Sequence, residues 1–235
     1  MNGPDLGTVR ALREALGPHA DPERARQQQA YMKSALPFLG LTRAELRAAI
    51  KPILAERRLA DRAVWAATVR LLIDEADHRE DWYTALELTR HRHYREFQDP
   101  DTVPLYRDMI LTTRWWDTVD EMAGRQVGDI LARYRTEVTP AVAAWADADG
   151  LWLRRAALLS QLHHRADTDT DLLRRVLEDN LAGSRHGSTF WITKAVGWSL
   201  RQHARTDPEW TRAFVADHYD RLAPLSRREA TRRPG

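Results

Sequence analysis

Two tryptophans and two carboxylates lie close together in the segment TTRWWDTVD, residues 112–120. Trp116 and Asp120 are four residues apart, so a helix would place this indole and this carboxylate on one face. A carboxylate beside an aromatic face can stabilise a positively charged group. The structural alternative is that Asp117 and Asp120 are solvated acids while one or both tryptophans pack between helices.

A second candidate segment is FWITKAVGWSLRQHAR, residues 190–205. At helical spacing it carries a basic stripe with one aromatic residue inside it: Lys194, Trp198, Arg201 and Arg205. Such a stripe suits a nucleic acid, because the cations meet phosphates and the flat ring meets a sugar or base. The alternative is a solvated face with a half-buried tryptophan. The opposite, buried face would consist of Ile192, Val196 and Leu200.

Arginines also flank a predicted core stripe in GLWLRRAALLSQLHH, residues 150–164. Arg155, next to Arg154, is expected to lie off this stripe. There it could clamp a nucleic-acid backbone or be a plain surface charge. The stripe itself consists of Trp152, Ala156 and Leu159.

Arginine supplies nearly all of the positive charge. The 235 residues include 36 basic and 34 acidic side chains, a formal net charge of +2, and lysine occurs only at Lys33, Lys51 and Lys194. Either a GC-rich coding bias or a phosphate-binding surface accounts for this, since the guanidinium group suits bidentate phosphate contacts. The basic tail from Arg221 to Arg233 is either solvated or in contact with a DNA backbone. Its inner arginines are Arg227, Arg228 and Arg232.

Several classes of chemistry find no support in the sequence. The lack of cysteine excludes disulfides, thiolate zinc sites, iron–sulfur clusters and a cysteine nucleophile. His91 and His93, like His163 and His164, do not have the i, i+4 spacing of a helical zinc site. There is no phosphate-cradling glycine loop and no nucleophile elbow. We therefore expect neither a metal nor a cofactor.

Almost every stretch of the chain has the helical period of hydrophobic residues. Asp21 and Asp61 are predicted N-caps, and Thr42 with Glu45 forms a predicted capping box. A leading helix is predicted to end at Gly17. Later helices are predicted over 79–95, 102–113, 115–122, 124–135, 138–148, 151–164, 169–182, 188–205, 208–220 and 226–232.

The short breaks between these helices favour antiparallel pairs stacked side by side. At roughly 40–47 residues per pair, the chain would hold five or six HEAT-like units. We therefore predict an all-α fold, an α-solenoid whose concave groove binds a long ligand such as DNA. A compact helical bundle is the alternative. No linker composition marks a boundary, so a single domain over 1–235 is expected.

Five segments taken together resemble the AlkD-like DNA alkylation repair enzymes, a family of HEAT-like alkylpurine DNA glycosylases. The resemblance runs over most of the chain and is weakest in about the first 25 residues and between 55 and 100. The stretch 77–93 departs from the family pattern. The matching segments are AYMKSALPFLGL (30–41), RWWDTVD (114–120), WLRRAALL (152–159), ITKAVGWSLR (192–201) and LAPLSRREA (222–230).

The resemblance implies a role for individual positions. Trp116 and Trp198 resemble the aromatic walls around the lesion nucleotide, and Asp120 resembles the catalytic carboxylate. Arg155 resembles the arginine that engages the backbone of the lesion. The remaining DNA-binding residues, from the resemblance or from the basic segments, are Tyr31, Lys194, Arg201, Arg205, Arg227 and Arg228.

The implied activity is that of a glycosylase that releases cationic N3- or N7-alkylated purines from duplex DNA. With three lysines in the chain, a lyase mechanism through a Schiff base has few candidates, so a monofunctional glycosylase is expected. An alkylated purine already carries a positive charge and leaves readily, so one carboxylate and two tryptophans suffice to stabilise the oxocarbenium-like sugar. The resemblance also implies tolerance of bulky adducts, which would suit self-resistance to an alkylating natural product.

The expected partner is double-stranded DNA containing alkylated purines, with no membrane and no second copy of the chain. The sequence shows no signal peptide or membrane span. We therefore expect a cytoplasmic monomer, associated with the bacterial nucleoid when bound to DNA. Two alternatives stay open: a non-catalytic relative that binds damaged or branched DNA, and a protein–protein scaffold.

Overall fold

The computed structural model describes residues 3–231, and each regular element in this range is helical. Within these described residues, fourteen α-helices are joined by turns, short 3₁₀ segments and one π-helical turn, which confirms the predicted all-α class. No helix in this part of the chain is long and apolar enough to cross a membrane. The helices form two compact units, Met1–Gln98 and Asp99–Gly235. The single repeat domain over 1–235 stays a prediction.

The described part of the first unit contains five α-helices, and all but the fifth begin at a capping side chain. The side chain of Asp21 accepts hydrogen bonds from two backbone N–H groups of the next turn, and Asp61 accepts one from Val64. Thr42 and Glu45 form the predicted capping box. The helices are α1 (Leu6–Leu16), α2 (Pro22–Met32), α3 (Arg43–Glu56), α4 (Arg62–Asp74) and α5 (Arg79–Arg90).

Helix α5 ends earlier than the predicted range 79–95. His91 adopts an extended conformation, and a 3₁₀ segment follows over Arg92–Phe97. The turn brings the Tyr94 ring to 6.1 Å from the ring of the fully buried Trp65. The Tyr94 hydroxyl also accepts a hydrogen bond of 3.0 Å from the backbone N–H of Leu59. Packing of this tyrosine, a long-range contact, therefore sets the end of the helix.

The second unit is organised around one central helix, α10, which packs against α6, α7, α9, α11 and α12. The last helix, α14, packs along α12. The helices of this unit are α6 (Val103–Thr113), α7 (Trp116–Glu121), α8 (Gly128–Arg133), α9 (Arg135–Ala146), α10 (Leu151–Leu159), α11 (Thr170–Glu178), α12 (Phe190–His203), α13 (Pro208–Asp217) and α14 (Pro224–Ala230).

The predicted break between helices 115–122 and 124–135 does not occur. A π-helical turn over Met122–Val127 instead joins α7 directly to α8. Gly128 allows the close approach that follows, since a Cβ there would lie 2.6 Å from the carbonyl oxygen of Ser160. Turns of this kind are frequent at functional sites, and this one immediately follows Asp120 and Glu121.

Two further helices differ from their predicted bounds. Helix α10 ends at Leu159 rather than 164, and α14 covers Pro224–Ala230 rather than 226–232. Arg232 and Arg233 of the predicted basic tail lie outside the described residues.

Candidate active site

The short helix α7 presents two of the predicted catalytic residues, one turn apart. The backbone leaves the helical conformation just before it: Arg114 is in the left-handed region (φ 43°) and Trp115 is extended. The Thr118 hydroxyl secures this turn by donating a 3.0 Å hydrogen bond to the Trp115 carbonyl. Trp116, at the start of α7, is half-buried, and Asp120, near its end, keeps only 15% of its side chain exposed.

Asp120 forms a bidentate ion pair with Arg155 of α10. The Nε and Nη2 atoms of Arg155 lie 2.7 Å from Oδ1 and Oδ2 of Asp120. The remaining nitrogen, Nη1, donates to the backbone carbonyl of Trp191 at 2.5 Å. Only 3% of the Arg155 side chain and 15% of the Asp120 side chain are exposed. The guanidinium group is therefore fixed on three sides and holds the carboxylate in one orientation.

Burial and charge act in opposite directions on Asp120. Burial raises the pKa of its carboxyl above the ordinary value, and the nearby Asp117 adds to this rise. The hydrogen bonds and the positive charge of Arg155 lower the same pKa. Two parallel hydrogen bonds from a guanidinium group are the geometry of an ionised carboxylate. We therefore treat Asp120 as a buried anion whose charge depends on Arg155.

Three tryptophans from three helical segments form an aromatic cluster beside this pair. The ring centroids of Trp115, Trp152 and Trp191 are 5.7–6.0 Å apart. The Arg155 guanidinium carbon lies 5.5 Å from the centroid of the Trp191 ring. Phe190, which is 55% exposed, extends the cluster at 5.1 Å from Trp191.

The sequence pattern does not predict this cluster, although its tryptophans are visible there. It places Trp152 in a core stripe and lets one or both of Trp115 and Trp116 pack between helices, whereas Trp115 and Trp152 are only half-buried. The predicted aromatic walls, Trp116 and Trp198, are also half-buried but do not belong to the cluster. Trp198 lies on α12, which packs against α10.

The sequence predicts that Arg155 lies off the buried stripe of α10, but the structure buries it. Arg154 and Arg155 are both buried, with 3% and 2% of their surfaces exposed. The Nε atom of Arg154 donates to the carbonyl of Ala148 at 2.5 Å, and its Nη2 atom pairs with Asp147 at 3.0 Å. Because their hydrogen bonds are satisfied by protein groups, both guanidinium groups can be buried.

The basic stripe of α12 is partly neutralised by a carboxylate that the spacing within α12 does not reveal, since it lies 28 residues beyond Arg201. Glu229 of α14 lies 2.9 Å from Nη1 of Arg201 and 3.7 Å from Nζ of Lys194. Arg205, at the end of the stripe, is exposed. The predicted buried face of α12 is confirmed: Ile192, Val196 and Leu200 are at most 1% exposed.

The other predicted DNA-binding residues occupy different surroundings. The Arg227 guanidinium carbon lies 4.1 Å from the centroid of the Tyr219 ring, and Arg228 is exposed. Tyr31, in the first unit, lies in the last turn of helix α2 and is 77% exposed. Within residues 3–231 no three His, Cys, Asp or Glu side chains are arranged to hold a metal ion.

The sequence model of one family, "DNA alkylation repair enzyme", matches residues 12–233. The chain belongs to this family. A solved structure of a predicted DNA alkylation repair enzyme from Enterococcus faecalis superimposes with a TM-score of 0.80 and is 28% identical. The alignment covers 91% of this chain and 95% of that chain. No curated protein is significantly similar in sequence. The predicted family resemblance is thereby confirmed, and this alkylation repair enzyme carries the Asp120–Arg155 pair in its second unit.

Proposed function

We propose that this DNA alkylation repair enzyme is a monofunctional DNA glycosylase. It hydrolyses the N-glycosidic bond of cationic N3- or N7-alkylated purines in duplex DNA. The observation that supports this most directly is the buried Asp120 carboxylate, held by two hydrogen bonds of 2.7 Å from Arg155. A fixed anion in a site of low polarity is suited to a reaction whose transition state becomes positively charged.

The chemistry of the leaving group explains why one carboxylate is enough. A purine alkylated at N3 or N7 is already cationic, so it departs as a neutral base without a general acid. The sugar left behind resembles an oxocarbenium ion, and its charge is stabilised by the nearby anion. Asp120 has lone pairs beyond the two that accept from Arg155, and these can face the sugar or orient the attacking water.

The aromatic residues provide the second contribution. Trp116 precedes Asp120 by one turn of α7, and Trp198 is half-exposed on α12. An aromatic face near a cation contributes about 0.5–2 kcal/mol, more where water is excluded. The two rings therefore favour a cationic nucleotide over a neutral one.

Hydrolysis is favoured over a lyase reaction through a lysine Schiff base. The second unit has a single lysine, Lys194, in the printed sequence. Its Nζ atom lies 3.7 Å from the Glu229 carboxylate, and an ammonium group in an ion pair is not a nucleophile. Water is then the nucleophile, and the products are a free base and an abasic site.

The test is base release from duplexes that carry one defined lesion each. We expect release of N3-methyladenine and N7-methylguanine and essentially none of uracil or 8-oxoguanine. Further duplexes that carry bulky N3 or N7 adducts test the proposed release of large lesions. Such an activity would suit self-resistance to an alkylating agent. Release of uracil at a rate comparable to N7-methylguanine would contradict the charge-stabilisation mechanism, because it requires a proton donor.

A non-catalytic DNA-binding protein is the second candidate, since a buried bidentate ion pair also serves purely structural purposes. It is favoured if the protein binds lesion-containing or branched duplexes tightly but releases no base. We further propose that the enzyme acts as a monomer on DNA in the cytoplasm, without metal or cofactor. Sedimentation of the free and DNA-bound protein tests the oligomeric state.

A further inference from the structure

Glu229 is a buried carboxylate between two cations of α12. Its Oε2 atom is 2.9 Å from Nη1 of Arg201, and its Oε1 atom is 3.7 Å from Nζ of Lys194. The Glu229 side chain is 9% exposed, whereas those of Arg201 and Lys194 are 21% and 35% exposed. The carboxylate therefore lies beneath the two cations and neutralises them from the protein side.

The backbones of α12 and α14 are in close contact at this point. A Cβ atom on Gly197 would lie 2.5 Å from the Cβ of Glu229 and 2.9 Å from the carbonyl oxygen of Ser226. The Ser226 hydroxyl donates a 2.6 Å hydrogen bond to the carbonyl of Thr193. This contact fixes the base of the Glu229 side chain against α12, so the direction of its carboxylate is determined.

The same contact adjoins Trp198, one of the proposed aromatic walls. Trp198 directly follows Gly197, and the Arg201 guanidinium carbon lies 5.9 Å from its ring centroid. A guanidinium group held by a buried carboxylate has few rotamers left, so it restricts the indole that it faces.

We propose that Glu229 is a positioning residue: it holds Arg201, and through it Trp198, in the orientation that base release needs. This rests on the proposed function. The arrangement has a cost in DNA binding, since Lys194 and Arg201 are cations whose charge Glu229 cancels. Glu229 thus lowers the affinity for DNA while it raises the rate of the reaction.

The Glu229→Gln variant separates this role from a purely structural one, because the two effects have opposite signs. The amide keeps the shape of the side chain but removes its charge. We expect the salt dependence of duplex binding to steepen by about 0.9 for each cation that becomes available to a phosphate. Affinity at low salt should rise several-fold, while single-turnover base release falls roughly tenfold, as expected for loss of a charge-assisted hydrogen bond.

Two control variants isolate the contributions. Glu209→Gln, at an exposed position on α13, makes the same change in net charge and should alter neither the salt slope nor the rate. Ser226→Ala loosens α14 from α12 without a change in charge, so it should lower the melting temperature and leave the salt slope unchanged. If Glu229→Gln folds poorly, Glu229→Asp replaces it. Asp keeps the charge on a shorter side chain, so the salt slope of DNA binding should stay the same and the rate of base release should fall.

The orientation of Trp198 is measured directly by ¹⁹F NMR with fluorotryptophan, the resonance being assigned through Trp198→Phe. We expect this resonance to shift or broaden in Glu229→Gln and to stay unchanged in Glu209→Gln. Weaker DNA binding by Glu229→Gln, an unchanged salt slope or an unmoved Trp198 resonance would each overturn the proposal. If the wild-type protein releases no base, the proposed function fails. The binding and NMR measurements still decide whether Glu229 orients Trp198 and lowers the affinity for DNA.

Discussion

Arg155 and Asp120 lie on different helices, 35 residues apart in sequence, and share two parallel hydrogen bonds of 2.7 Å. The third nitrogen of the guanidinium group is bonded to the Trp191 carbonyl. Arg155 thus ties the carboxylate of α7 to the start of α12 as well as to α10. This one side chain therefore connects the proposed catalytic anion with the tryptophan cluster.

Replacement of Asp120 by Asn should separate catalysis from binding. The amide no longer offers a negative charge to the transition state, so we expect single-turnover base release to fall roughly a hundredfold or more. Duplex affinity should change only a few-fold. Removing one member of a buried ion pair also costs stability, about 3–5 kcal/mol, so folding must be checked by thermal melting.

The matched control for that experiment is Asp117→Asn on the same helix. It makes the same charge change but leaves the pair with Arg155 intact, so most activity should be retained. Full activity in folded Asp120→Asn would remove this carboxylate from the mechanism.

The salt dependence of DNA binding should identify the arginines that meet phosphates. Arg205 and Arg228 are exposed, so Arg205→Ala and Arg228→Ala should each flatten the log–log slope by about one unit. Arg212→Ala, at an exposed position of α13 outside the predicted set, is the control. Binding that does not depend on salt would instead favour the protein–protein scaffold.

His203 should contribute to a loss of stability in mild acid. This histidine is buried at 7% exposure, and burial lowers its pKa below the ordinary 6.5. Among the described residues neither of its ring nitrogens has a hydrogen-bond partner. Since the unfolded chain then binds more protons, the free energy of unfolding decreases as the pH falls below about 6.5 toward the lowered pKa.

Urea unfolding at pH 7.5 and pH 5 measures this effect. His203→Phe keeps an aromatic ring against Trp210, whose centroid is 5.0 Å away, and should show a smaller loss of stability between the two pH values. His19→Phe, at an exposed position, should behave like the wild type. Equal acid sensitivity in His203→Phe and wild type would show that other groups cause it.

The close contact of α12 and α14 predicts a cost for Gly197→Ala. Alanine favours a helix by about 1 kcal/mol over glycine, but the new Cβ would overlap the Glu229 side chain. We expect a net destabilisation of about 1–3 kcal/mol by urea unfolding. Gly17→Ala, at a helical position with nothing within 4 Å, should be neutral or stabilising. A neutral Gly197→Ala would mean that α14 can move away from α12.

The sequence by itself determined the helical class, the family and the local signals. The caps at Asp21 and Asp61 could be predicted because each depends on residues within one turn of the chain. The spacing of Trp116 and Asp120 likewise placed them one turn apart on one helix.

Only the tertiary structure decided which partners these residues have. The sequence is equally compatible with a solvated Asp120 and with a buried Asp120 that pairs with Arg155. The pair exists because α7 packs against α10. The carboxylate of Glu229, 28 residues from Arg201, is likewise brought to its partner by the packing of α14. The π-helical turn at Met122–Val127 and the early end of α5 have the same origin. Long-range contacts outweigh local periodicity there, because burying a ring or satisfying a buried charge is worth more than one further helical turn.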